Sequence, residues 1–129
     1  MDNEKNIKNN IMGNVVAVKS YSFAIRIVKL YKFLSSDKKE FVLSKQVLRS
    51  GTAIGALIKE AEHAQSKADF LNKMNIALKE ANETEYWLML MKDTGYIDEK
   101  VFQSIHEDCS EILKLLISIV KSTKTSLKR

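Results

Sequence analysis

SKADFLNKMNIALKEANETEYWLMLMKDT, from Ser66 to Thr94, carries the clearest periodicity in the chain, and the other segments read as partners for it. Phe70, Met74, Ala77, Ala81, Thr84, Leu88 and Met91 follow alternating steps of four and three. That heptad stripe is the mark of a helix packed at a shallow angle against other helices. Ser66 and Asp69 stand where an N-cap and its reciprocal acid belong, and Gly95 stands where a helix stops. Tyr86 to Met91 then turns apolar all the way round, too wide a face for one bundle core to cover. The helix is therefore expected to bury a second side, with Tyr86, Trp87 and Leu90 against another copy of the chain.

The chain has 129 residues, enough for one domain with its own core. It has no proline and four glycines, so few breakers interrupt an all-helical fold. The single cysteine, Cys109, excludes an internal disulfide and fits a reducing compartment. The polar start MDNEKNIKNN shows no signal-peptide core. The uncharged run Leu115 to Val120 is too short to span a bilayer. A cytoplasmic protein with no membrane partner is the expectation.

Read in order, residues 1–14 form a flexible N-terminal arm, 15–122 the helical domain and 123–129 a basic C-terminal tail. A first helix is expected over roughly Ser20 to Leu34, with Phe23, Ile27, Leu30, Tyr31 and Leu34 turned inward. Asp37 with Glu40 reads as a capping box for a second helix from Lys38 to His63, about 39 Å long. Its middle, LRSGTAIGA, holds Gly51 and Gly55, each costing about 1 kcal/mol against alanine inside a helix. Either another backbone passes close there, or a ligand does. The spacing matches neither a Walker loop nor a dinucleotide fingerprint. After the third helix, Asp98 caps a fourth from Glu99 to Ser122, with Phe102, Ile105, Cys109, Ile112, Leu116 and Ile119 inward. The fold class is all-α, an up-and-down antiparallel four-helix bundle.

Few residues are set up for chemistry. Glu60-x-x-His63 has the spacing of half a di-metal motif, but such a site needs the motif twice, and His106 has Gln103 three residues before it. Glu80, Glu83 and Glu85 with Lys79 resemble an acid cluster, yet they read better as ion pairs ordering helix contacts or a subunit interface. Arg49 is expected to pair with Glu80 or Glu83. Cys109 reads as a buried small hydrophobe. No enzyme, metal or cofactor is expected.

Charge is more informative. From Lys5 to Ser36 there are six bases and no acid, and from Ile112 to Arg129 five bases and no acid. The segment between them has 14 acids against 10 bases. Lys19, Arg26 and Lys29 share an outer face, while Lys114, Lys121, Lys124 and Lys128 line one side of the last helix and lead to Arg129. An antiparallel bundle would bring Lys121 and Lys124 toward Lys19 and Arg26. That patch is either a phosphate-backbone binder or a solvated tail. Its lack of interleaved aromatics argues against base-specific reading.

Phe23 to Leu34 and Phe41 to Met91, above all LRSGTAIGA, SKADF and ALKEANETEYWL, resemble the bacterial 23S rRNA-intervening-sequence proteins, also called the four helix bundle protein family. The resemblance covers about residues 20–120. Ala53 and Leu57 depart from it, standing where a more polar pattern is expected. It implies a bundle that assembles as a homo-oligomer, characteristically a pentamer, with no catalytic residues to carry over. The expected function is a non-enzymatic oligomer that binds RNA or other nucleic acid through phosphate contacts. The alternative is a homo-oligomeric protein-interaction scaffold.

Overall fold

The computed structural model describes residues 2–128, with side chains from residue 13 onward. Four helices follow one another: α1 (Asp2–Ser36), α2 (Leu43–Ala61), α3 (Lys67–Asp93) and α4 (Glu99–Leu127). Each packs on its two neighbours in a closed square, α1 on α2 and α4, α3 on α2 and α4. Short connections force neighbours to run antiparallel, which gives the up-and-down bundle expected from the periodicity.

The core is the meeting of four inner stripes. Phe23, Ile27 and Leu34 come from α1, Val47, Ile54 and Ile58 from α2. Met74, Ala77, Ala81, Leu88 and Met91 of α3 meet Ile105, Cys109, Ile112, Leu116 and Ile119 of α4. Where α2 and α3 meet, the core holds a polar contact that is internally satisfied: the buried Thr84 hydroxyl donates to Ser50 Oγ at 2.9 Å. Alanines at 77 and 81 let α3 approach closely, and Gly51 does the same on α2. A β-carbon at Gly51 would lie 2.8 Å from Ile27 Cγ1, so α1 occupies that space. At Gly55 the neighbour is the Ser20 carbonyl oxygen, 3.4 Å from where a β-carbon would stand. Close packing of α1 therefore accounts for Gly51, whereas at Gly55 a β-carbon would stand at ordinary contact distance.

The caps follow the sequence at two sites and depart from it at a third. Ser66 Oγ accepts from the Asp69 amide at 3.1 Å, and Asp69 Oδ2 accepts from the Gln65 amide at 3.2 Å. Asp98 accepts from the Val101 amide at 2.8 Å. Gly95, at φ +84°, closes α3 in the left-handed region that glycine tolerates. No Asp37–Glu40 box forms. Lys39 turns left-handed, at φ +55°, and Glu40 itself caps the helix, so α2 starts at Leu43 rather than Lys38. The Glu40 carboxylate accepts from the amides of Val42, Leu43 and Ser44 at 2.9, 2.8 and 2.7 Å.

Both ends of the chain also differ from expectation. Helix α1 begins at Asp2, and α4 continues to Leu127. The residues read as an arm and a tail thus extend α1 and α4. Once a helix is nucleated, each further residue gains a hydrogen bond for one fixed residue, and nothing in either segment stops it.

Candidate nucleic-acid interface

The α1–α4 contact sets the geometry of the basic residues. Lys19 Nζ pairs with Glu111 Oε1 at 2.6 Å, and Arg26 Nη1 with Asp108 Oδ2 at 2.6 Å. Arg26 also donates to the Ser104 carbonyl and hydroxyl oxygens at 3.2 and 2.9 Å. Residues of α1 and α4 thus meet where their numbers sum to about 130, and Lys19 and Arg26 have carboxylate partners. Lys121 lies ten residues beyond Glu111, about 15 Å along the axis. It is also turned away, since Lys114, Lys121, Lys124 and Lys128 lie within about 80° of His106 around α4 at 3.6 residues per turn. His106 faces α3, where it meets Glu85 at 2.9 Å. The expected convergence of Lys121 and Lys124 on Lys19 and Arg26 therefore does not occur. Counting charge by segment missed Asp108 and Glu111, which sit just before the acid-free end and answer α1.

What remains is one basic stripe on α4. Lys114, Lys121, Lys124 and Lys128 are exposed, and none has an ion pair among the described residues. They span about 21 Å of helix. Lys29, on α1, is likewise exposed and unpaired among the described residues. Arg129 lies outside the described residues.

The acid cluster is fully engaged. Arg49 Nη1 donates to Glu80 Oε2 at 3.1 Å and its Nη2 to Glu83 Oε2. Trp87 Nε1 donates to the same Glu83 oxygen at 3.2 Å. Arg49 pairs as its position predicts, but its side chain is 52% exposed. The pair belongs with surface ion pairs, worth at most about 1 kcal/mol. Glu85 is taken by His106, whose ring stacks on Phe102 with centroids 4.8 Å apart. Cys109 is fully buried, its Sγ 3.6 Å from the Ala81 carbonyl oxygen. Burial, with the Glu85 and Asp108 carboxylates adding to it, pushes its pKa up to about 12, so the thiol is no nucleophile at neutral pH. Among the described residues no three His, Cys, Asp or Glu side chains are grouped to hold a metal. Among them, too, no helix is long and apolar enough to cross a membrane.

The model of the 23S rRNA-intervening sequence protein family matches residues 13–118. The chain belongs to that family. A crystal structure from Bacteroides thetaiotaomicron, described as a protein with unknown function from the S23 ribosomal protein family, is 65% identical. The match covers 85% of this chain and 98% of that one, with a TM-score of 0.84. No curated protein matches the chain. Neither the intervening-sequence family's name nor that relative's names an enzyme.

The apolar run that set the expectation of assembly is only partly covered within the monomer. Leu88 and Met91 enter the core, Trp87 and Leu90 are half-buried, and Tyr86 and Met89 are exposed. A second apolar stripe escaped the sequence reading. Val18, Tyr21, Ile25 and Val28 step by three, four and three along α1, opposite its inner stripe. Val18 and Tyr21 are 68% and 69% exposed. Beside them an apolar groove of about 710 Å³ runs between α1 and α2 over Ala17, Ala24, Thr52, Gly55 and Ala56. The signal was present: α1 is apolar on two opposed faces, just as the end of α3 is.

Proposed function

We propose that this protein is a non-enzymatic, cytoplasmic homo-oligomer that binds RNA through backbone phosphates. The observation that carries the reading is the α4 stripe of Lys114, Lys121, Lys124 and Lys128, exposed and without carboxylate partners among the described residues. Such a row offers charge without base-edge donors in a fixed plane, which suits phosphate contacts and weak sequence preference. Assembly would repeat the stripe and multiply a modest monomer charge.

Retention of RNA by the purified protein across a salt series tests this. Each phosphate contact to a single strand contributes about −0.7 to the slope of log affinity against log salt. Replacing all four lysines with glutamate should flatten that slope by up to about 3 and leave helicity unchanged. A wild-type protein that retains no RNA at low salt refutes the reading.

The second reading, an assembly whose ligand is protein, is favoured by the exposed stripe of α1. Together with Tyr86 and Met89 on α3 it leaves two apolar faces exposed on opposite sides of the bundle, and exposed apolar patches mark interaction sites. We propose a second copy of the chain as the occupant, and the family resemblance favours a pentamer. Light scattering at micromolar concentration should give a multiple of 14.7 kDa. Tyr21→Asp with Ile25→Asp should lower it if α1 carries the interface, and Trp87→Ala or Leu90→Asp if α3 does. A mass of one chain excludes assembly.

A further inference from the structure

The turn between α1 and α2 combines features found nowhere in the α4 stripe. Phe33, Phe41 and Val42 are exposed there, at 40%, 52% and 71%. Around them stand Lys29, Lys32, Lys38, Lys39 and Lys45, all exposed and none in an ion pair among the described residues. Lys38 Nζ lies over the Phe33 ring, 5.8 Å from its centre. The acids within the segment do not cancel this charge. Only two carboxylates, Asp37 and Glu40, stand against five lysines, and that of Glu40 is directed onto the amides of Val42, Leu43 and Ser44 rather than onto a lysine.

The turn is also fixed in place. The Glu40 amide donates back to the Leu34 carbonyl at 2.9 Å, and the Ser44 hydroxyl donates to the Glu40 carbonyl at 2.8 Å. Phe41 follows immediately, so its ring is presented from a braced backbone. Aromatic rings set among lysines form a stacking platform: every base has a π-face, and the cations hold the backbone on either side.

We propose that this turn binds unpaired RNA, with bases stacking on Phe41 and Phe33 and phosphates held by Lys38, Lys39 and Lys45. The inference rests on the RNA reading above and narrows it, since α4 alone supplies charge but no ring. Duplex RNA keeps its bases stacked inside and gains nothing from the platform. A second copy of the same turn is a poor occupant, because five lysines would face five lysines.

The test uses the full-length protein and one RNA sequence, both as a single strand carrying 5-bromouridine and as a duplex. Phe33→Ala with Phe41→Ala should weaken single-strand binding about tenfold or more and change duplex binding little. Phe41→Trp should retain binding, because the ring persists. Ultraviolet crosslinks should map to the peptide around Phe41. Neither ring belongs to the buried core, so circular dichroism of the variants should match wild type. Unchanged single-strand affinity in the double variant, or crosslinks confined to α4, overturns the platform and leaves the RNA reading standing. So does crosslinking of the turn to another protein chain that single-stranded RNA fails to compete away. No RNA binding by the wild type removes both.

Discussion

Glu40 and Ser44 hold each other across the start of α2. The Ser44 amide donates to the Glu40 carboxylate at 2.7 Å, while the Ser44 hydroxyl donates to the Glu40 carbonyl at 2.8 Å. Glu40 is 8% exposed and satisfies three of the amides that a helix start leaves without partners. Removing a helix cap typically costs about 0.5–2 kcal/mol. Glu40→Ala should fall at the upper end, measured by denaturant unfolding.

The same site gives a pH dependence. Burial alone would raise the Glu40 pKa, but the hydrogen bonds from Leu43, Ser44 and Val42 outweigh it and hold it below the ordinary 4.5. A carboxyl with a depressed folded pKa contributes stability that is present above its unfolded value and lost as pH falls through its folded value. Wild-type stability should therefore decline as pH drops below about 4.5. Glu40→Gln should lose that part of the decline, which unfolding curves at a series of acid pH values would resolve.

The two glycines of α2 should respond oppositely to alanine. At Gly51 the new methyl meets Ile27, a fully buried β-branched side chain with no free rotamer to retreat into. Overpacking of this kind costs about 1–3 kcal/mol. At Gly55 the nearest atom is at ordinary contact distance, and alanine recovers up to about 1 kcal/mol of helix propensity. Gly51→Ala should lower the melting temperature, and Gly55→Ala should hold or raise it. Equal losses at both would show that α1 sits equally close along the whole contact.

Cys109 should resist thiol reagents while the protein is folded. Its pKa near 12 leaves almost no thiolate at pH 8, and the side chain is wholly enclosed. Modification should proceed at the rate of opening and become complete in denaturant. The stability link has the opposite sign to that of Glu40. A raised acid pKa costs nothing below the unfolded value of about 9 and subtracts stability between there and about 12.

Sequence periodicity was enough for the bundle because α3 and α4 keep their stripes unbroken, and two caps lie where Ser66 and Asp98 announce them. Arg49 was readable for a local reason: Glu80 and Glu83 are one turn apart on α3, so one fork reaches both. Helix starts were less legible. Glu40 lies three residues before Leu43, and sequence alone does not say whether a glutamate caps or continues a helix. The basic patch was misread because its placement depends on register. A heptad stripe says which side of a helix faces inward, but not which turn of α1 stands beside which turn of α4. Asp108 and Glu111 reveal that only once the pairs with Arg26 and Lys19 are seen.

That register yields a contrast between two sets of basic residues. Lys19 and Arg26 already have carboxylate partners 2.6 Å away, so a phosphate would have to displace Glu111 or Asp108 to reach them. Lys121 and Lys124 have no such competitor among the described residues. Lys19→Met with Arg26→Met should therefore leave RNA affinity within about twofold of wild type. It should also lower stability by no more than about 1 kcal/mol for each pair, since both are partly exposed. Lys121→Glu with Lys124→Glu should weaken RNA binding and reduce its salt dependence, because two counterion-releasing contacts are gone. Fluorescence anisotropy with labelled RNA over a salt series reads both variants. If the α1 pair loses affinity and the α4 pair does not, the interface lies on α1 and the α4 assignment is wrong.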